Sequence, residues 1–169
     1  MLRGAGIVAL FVLAACNQSS PTPRVSPSVP AVQATWTQDL TFSGELTGHM
    51  SNILPNTGTL ASACTGAKPR AGQTWADEFY GVIDSSGNVW GVIVVINNYG
   101  GPGTYKGQAV AAEVHSTDNS KIWLNQAADA VTFKLDRTQQ TGTVDAQLTN
   151  ADSGKAGALH VTGTWNCQG

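Results

Sequence analysis

Thr41-Phe42-Ser43-Gly44-Glu45-Leu46-Thr47-Gly48-His49-Met50 alternates without a break: Phe42, Gly44, Leu46, Gly48 and Met50 are apolar or small, and the residues between them are polar. Successive side chains of a strand point to opposite faces, so a period of two with one apolar side reads as a strand with one face in a core. The pattern returns at the C-terminus, where Leu159, Val161, Gly163, Trp165 and Cys167 oppose His160, Thr162, Thr164 and Asn166. It returns twice more in between. Val131, Phe133 and Leu135 alternate with Thr132, Lys134 and Asp136, and Val144, Ala146 and Leu148 alternate with Thr143, Asp145 and Gln147. Clean alternation of this kind belongs to antiparallel sheets with one solvated face.

Val89 to Ile96 differs, because Trp90, Val92, Val94 and Ile96 share one side while Val89, Gly91, Ile93 and Val95 share the other. Apolar on both sides, it reads as a central, covered strand. Its expected partner is Glu78 to Asp84 across the turn Ser85-Ser86-Gly87-Asn88, with the next reversal at Asn97 to Gly103. Gln108 to Val114 and Leu124 to Ala130 are short and poorly capped, enough for a helical turn or two. Runs near 36–50, 59–64, 78–84, 89–97, 104–114, 121–124, 130–136, 142–149 and 158–166 make about eight or nine strands, with no helix–strand repetition to support a parallel sheet. The expected fold is all-β: a single antiparallel β-sandwich over 36–169, with a small closed β-barrel as the alternative.

Upstream of this domain, Met1 to Arg3 form a short basic start and Gly4 to Leu13 an apolar run, followed by Leu13-Ala14-Ala15-Cys16. The run is about half of the roughly 20 residues that a spanning helix needs. Leu13 to Cys16 resembles the lipobox of bacterial lipoproteins. That resemblance implies that residues 1–15 are a signal peptide, that Cys16 is the lipidated first residue of the mature chain, and that acyl chains such as palmitate hold it to the membrane. It places the protein on the extracytoplasmic face of a cell membrane or outer membrane. Residues 16–35 then form the lipidated cysteine and a tether: Pro21, Pro23, Pro27 and Pro30 stand among Ser, Thr and Gln, and Asn17 to Thr35 reaches about 59 Å in a polyproline conformation.

Without Arg3 the chain has eight basic and eleven acidic side chains, a formal charge of −3. No basic cluster is present, which argues against nucleic acid as a partner. If Cys16 carries lipid, Cys64 and Cys167 remain as an even pair in an oxidising compartment, and a disulfide is expected; two free thiols or a metal pair are the alternatives. Neither cysteine has a second Cys or a His at ligand spacing, which disfavours metal.

Catalytic signatures fail at the level of spacing. Gly-x-Ser-x-Gly, Ser-x-x-Lys, His-Glu-x-x-His and the phosphate-cradling Gly-x-x-x-x-Gly-Lys are all missing. The expectation is a protein that is not an enzyme and uses no cofactor or metal. His49, His115 and His160 lack a His-x-His or adjacent carboxylate and read as surface histidines, and Asp118, Asn119 and Asp152 read as turn residues. Gly44, Gly48, Gly91 and Gly163 leave gaps on apolar faces, to be filled by Trp36, Trp90, Trp123 or Trp165 or else left as a cleft for a small apolar ligand such as lipid. Trp75 near Glu78, Phe79 and Tyr80, together with Tyr99 and Tyr105 around the Gly100 to Thr104 loop, forms the candidate ligand surface for a glycan, lipid or protein; the alternative is that these rings plug the end of the domain. The plan of lipidated cysteine, Pro/Ser tether and β domain ending in a cysteine looks like many exported bacterial lipoproteins, several of them antigens, carriers or envelope components. Together these readings make a membrane-anchored binding or envelope-surface domain, with a lipid carrier and a purely structural envelope protein as rivals.

Overall fold

The computed structural model describes residues 35–51, 53–55, 64 and 68–168. The expected signal peptide, Cys16, the expected tether up to residue 34 and residues 59–63 of the strand expected at 59–64 lie outside the described residues. Among the described residues there are eleven strands: β1 (Thr35–Gly44), β2 (Gly48–Met50), β3 (Ile53–Pro55), β4 (Trp75–Val82), β5 (Val89–Ile96), β6 (Gly103–Lys106), β7 (Ala111–Ser116), β8 (Ile122–Leu124), β9 (Val131–Leu135), β10 (Thr141–Asn150) and β11 (Leu159–Gln168). The count exceeds eight or nine because Glu45–Thr47 interrupts the first run, a 3-10 turn, Gly107–Ala109, divides the expected 104–114 strand, and β3 forms where no strand was expected. The helical turn expected from Gln108 onwards is confined to that 3-10 turn.

Every pairing is antiparallel, in the order β2-β1-β11-β10-β8-β7-β5-β4, with β3 on β1, β9 on β10 and β6 on β9. The two ends of this path approach each other. Gln38 Nε2 donates to the Tyr80 carbonyl at 2.7 Å, Asp84 N donates to the His49 carbonyl at 3.0 Å, and His49 N donates to Asp84 Oδ1 at 2.8 Å. The all-β antiparallel expectation therefore holds, and the sheet curls until it is nearly closed and barrel-like.

Inward positions carry the core. Leu40, Phe42, Trp75, Phe79, Val94, Val114, Phe133, Leu159 and Trp165 are all buried. Rings fill the interior: Trp75 lies 5.1 Å from Phe133 and 6.0 Å from Trp165, and Trp165 stacks on Phe133 at 5.9 Å. Each large side chain so buried contributes about 1.5–3 kcal/mol. The glycine gaps are filled differently from expectation. A Cβ at Gly163 would overlap the Asp39 carbonyl and one at Gly44 the Ala158 carbonyl, while Ser85, Ile83 and Asp84 crowd Gly48 and the His115 ring covers Gly91. Close backbone approach at Gly44 and Gly163, the Ile83, Asp84 and Ser85 side chains at Gly48 and the His115 imidazole at Gly91, not Trp90, Trp123 or Trp165, explain these four glycines.

Cys64 and Cys167 form the expected disulfide, Cα to Cα 5.1 Å across a separation of 103 residues, pinning the end of β11. That is the end where the chain enters at Thr35, paired with Gln168. The connections 45–47, 83–88, 117–121 and 151–158 lie at the other end, where Glu45 gathers Trp123 Nε1 (3.0 Å), Asn150 Nδ2 (2.7 Å) and Lys155 Nζ (3.2 Å) and Ser85 Oγ donates to the Thr47 carbonyl. These bonds from Asn150, Trp123 and Lys155 hold the Glu45 carboxyl below its ordinary range.

Candidate ligand-binding face

The aromatic surface expected from the sequence is not a surface. Trp75 and Tyr99 are buried at 0% and 1% exposure, and Tyr105 is half-buried. Trp75 occupies an inward position of β4, in phase with Phe79, and so joins the ring cluster. Tyr99 stacks on Tyr105 at 6.1 Å, and its backbone bonds Gly72 and Gln73. The Tyr105 hydroxyl accepts from Gly100 N at 2.9 Å and donates to the Gly101 carbonyl at 2.5 Å, tying the loop to the ring. Burial, with Tyr105 adding to it, pushes the Tyr99 hydroxyl up to about 12. These rings close the end of the barrel, which corrects their assignment as a ligand surface and leaves the plugging role.

Outward positions of β4 and β5 provide a different face. Among the described residues, the large apolar side chains left exposed are Tyr80 (40%), Val82 (40%) and Val89 (41%). Register brings them together. Val82 pairs with Val89 beside the turn, Tyr80 pairs with Gly91, and Gly91 pairs in turn with His115 of β7; one step along, Glu78, Ile93 and Glu113 form the next row. Because Gly91 has no side chain, the His115 ring lies down over it and is buried although it sits on the outer face. Its Nε2 is 3.5 Å from Glu78 and its Nδ1 3.4 Å from Glu113, and the Tyr80 ring meets it edge-on at 6.2 Å. A hydrogen bond to Glu78, with partial burial, pushes the Tyr80 hydroxyl up to about 12, so the ring stays a neutral phenol at physiological pH.

Beyond Val89 an open cleft of about 510 Å³ runs between the 83–88 turn and the 117–121 loop, lined by Asn88, Val89, Trp90, Asp118 and Lys121 among others. Trp90 forms its floor, held by its Nε1 bond to Ser86 Oγ (3.1 Å) and by packing on Trp123 at 5.8 Å. Asp118 accepts from Ser116 Oγ at 2.6 Å and from Ser120 N at 3.0 Å. These bonds hold its carboxyl down at about 2, a fixed negative charge at the cleft wall.

The other histidines stand elsewhere. His49 pairs with Asp39 at 2.5 Å and His160 with Asp145 at 2.8 Å, on the hydroxyl-rich outer face where Thr41 pairs with Thr162. Among the described residues, the group of three donors close enough for a metal is Cys64, Asp77 and Cys167, and its two sulfurs are bonded to each other. No helix among the described residues is long and apolar enough to cross a membrane. No protein-family model, curated protein or solved structure matches the chain.

The sequence placed Tyr80 near Trp75 in the candidate surface but gave Val82 and Val89 no part in it, because apolar residues on both sides of β5 implied cover on both sides. A signal was present. Val82 and Val89 flank the Ile83 to Asn88 connection of one hairpin, and such connections run over the surface.

Proposed function

We propose that this chain is a non-enzymatic binding domain, anchored through the lipid on Cys16 to a cell membrane or outer membrane and exposed on its extracytoplasmic side. The observation that carries the binding reading is the gathering of Tyr80, Val82 and Val89 on one hairpin beside a polar-walled cleft. Exposed large apolar side chains scattered singly need no explanation, whereas a contiguous set rimmed by polar groups marks an interaction site. A lipid carrier would need interior space, and Trp75, Phe133 and Trp165 pack where that space would be. A purely structural envelope protein gives the exposed hairpin no role.

Amide hydrogen exchange on envelope membranes, compared with the purified protein, tests this reading. Backbone amides of residues 78–93 are expected to gain protection in the membranes, and those of β11 to stay unchanged. Equal exchange of 78–93 in both samples would overturn the binding role.

A further inference from the structure

We propose that the Tyr80–Val82–Val89 face docks a cationic polypeptide segment bearing apolar side chains. This rests on the binding reading above and adds the chemistry of the partner. The apolar half of the argument is the exposed triad, continued by half-buried Ile93 and Ile122 on the same outer face. The charged half is the rim. Glu78 and Glu113 lie one register row from Tyr80, Asp84 is in the adjoining turn, and Asp118 stands at the cleft wall with Lys121 beside it. His115, between Glu78 and Glu113, offsets one of these charges when protonated. The balance on this face is acidic at neutral pH.

An occupant that buries the apolar centre also strips water from these carboxylates, which is costly unless it brings its own positive charges. Lys or Arg flanking Leu, Phe or Val on one segment meets both demands, the apolar groups on Tyr80, Val82 and Val89 and the cations on Glu78, Glu113 and Asp118. Phosphate-bearing lipid surfaces would set anions against the same rim. A second copy joined by a two-fold axis would bring matching carboxylates onto one another.

The test uses the lipidated full chain in detergent micelles. Its probes are a fluorescent peptide of alternating Lys and Leu, its Glu/Leu counterpart, anionic phosphatidylglycerol vesicles, and sedimentation across a concentration series. The Lys/Leu peptide is expected to bind at least about tenfold more tightly than the Glu/Leu peptide, as complementary charge predicts. Glu78→Gln with Glu113→Gln should weaken it severalfold and flatten its salt dependence, and Val82→Ser with Val89→Ser should abolish it, with urea unfolding confirming that each variant is folded. Equal binding of the two peptides, undiminished binding by the Val82/Val89 variant, preferential capture of the vesicles, or self-association that excludes the peptide would each overturn the proposal. If residues 78–93 are protected in envelope membranes while the peptides show no preference, the partner chemistry fails and the binding reading stands; without that protection, both fail.

Discussion

Gly91 shows how much depends on one missing side chain. Its bare backbone lets His115 lie flat between Glu78 and Glu113, and a methyl group there would overlap the imidazole. Gly91→Ala is therefore expected to destabilise the domain by about 1–3 kcal/mol, as overpacking does. Adding His115→Ala should recover much of that loss, and urea unfolding of the single and double variants checks both statements; an unchanged midpoint for Gly91→Ala would contradict them. Asp118 carries a prediction of a different kind. Its folded carboxyl, held at about 2 by Ser116 and Ser120, lies below its ordinary value of 3.8. It contributes stability above the ordinary carboxylate range, and that contribution is lost as pH falls from about 4 towards about 2. Ser116→Ala should return the group towards 3.8, seen by NMR titration of the carboxyl carbon; superimposable curves for variant and wild type would refute the assignment. The sequence marked Asp118 as a turn residue, and its hydrogen bonds to Ser116 and Ser120 fit that reading because they are local. The filling of Gly91 was not legible, because the ring that covers it lies on a strand 24 residues away.

At the scale of elements, alternation located the strands to within a residue or a few. The run expected at 142–149 is Thr141–Asn150, and Val89 to Ile96 is β5. Alternation alone did not show where strands stop. The pattern through Thr41 to Met50 is unbroken, yet Glu45 leaves the ladder because Trp123 and Asn150, 78 and 105 residues away, draw in its carboxylate. Nor did it show which aromatics face inward: Trp75 follows Thr74 without a preceding alternating run, so its phase becomes clear only from Phe79 onwards. The disulfide was legible from cysteine arithmetic. Replacing both partners, Cys64→Ser with Cys167→Ser, should cost about 2–4 kcal/mol, because a long loop in the unfolded chain is released. Urea unfolding under non-reducing conditions measures that cost, and an unchanged midpoint would show that the bond adds no stability.

For the whole molecule, sandwich and barrel share the same one-sided strands, so the sequence pattern does not separate them. Contacts across the seam decide, and Gln38 reaching the Tyr80 carbonyl spans 42 residues. The proposed anchor is the opposite case, resting on four contiguous residues that resemble a lipobox and on no feature of the fold. Cys16→Ser is expected to move the protein from the membrane to the soluble fraction, and its unchanged retention there would refute the lipid anchor. The central claim is that this barrel-like domain binds through the outside of its β4–β5 hairpin. Photo-cross-linking in living cells tests it most directly, with a photoreactive residue placed in turn at Val82, Val89 and, as the control, Thr162. The account predicts discrete protein adducts from positions 82 and 89 and none from 162, whereas no adducts at 82 and 89, or the same adducts at all three positions, would contradict it.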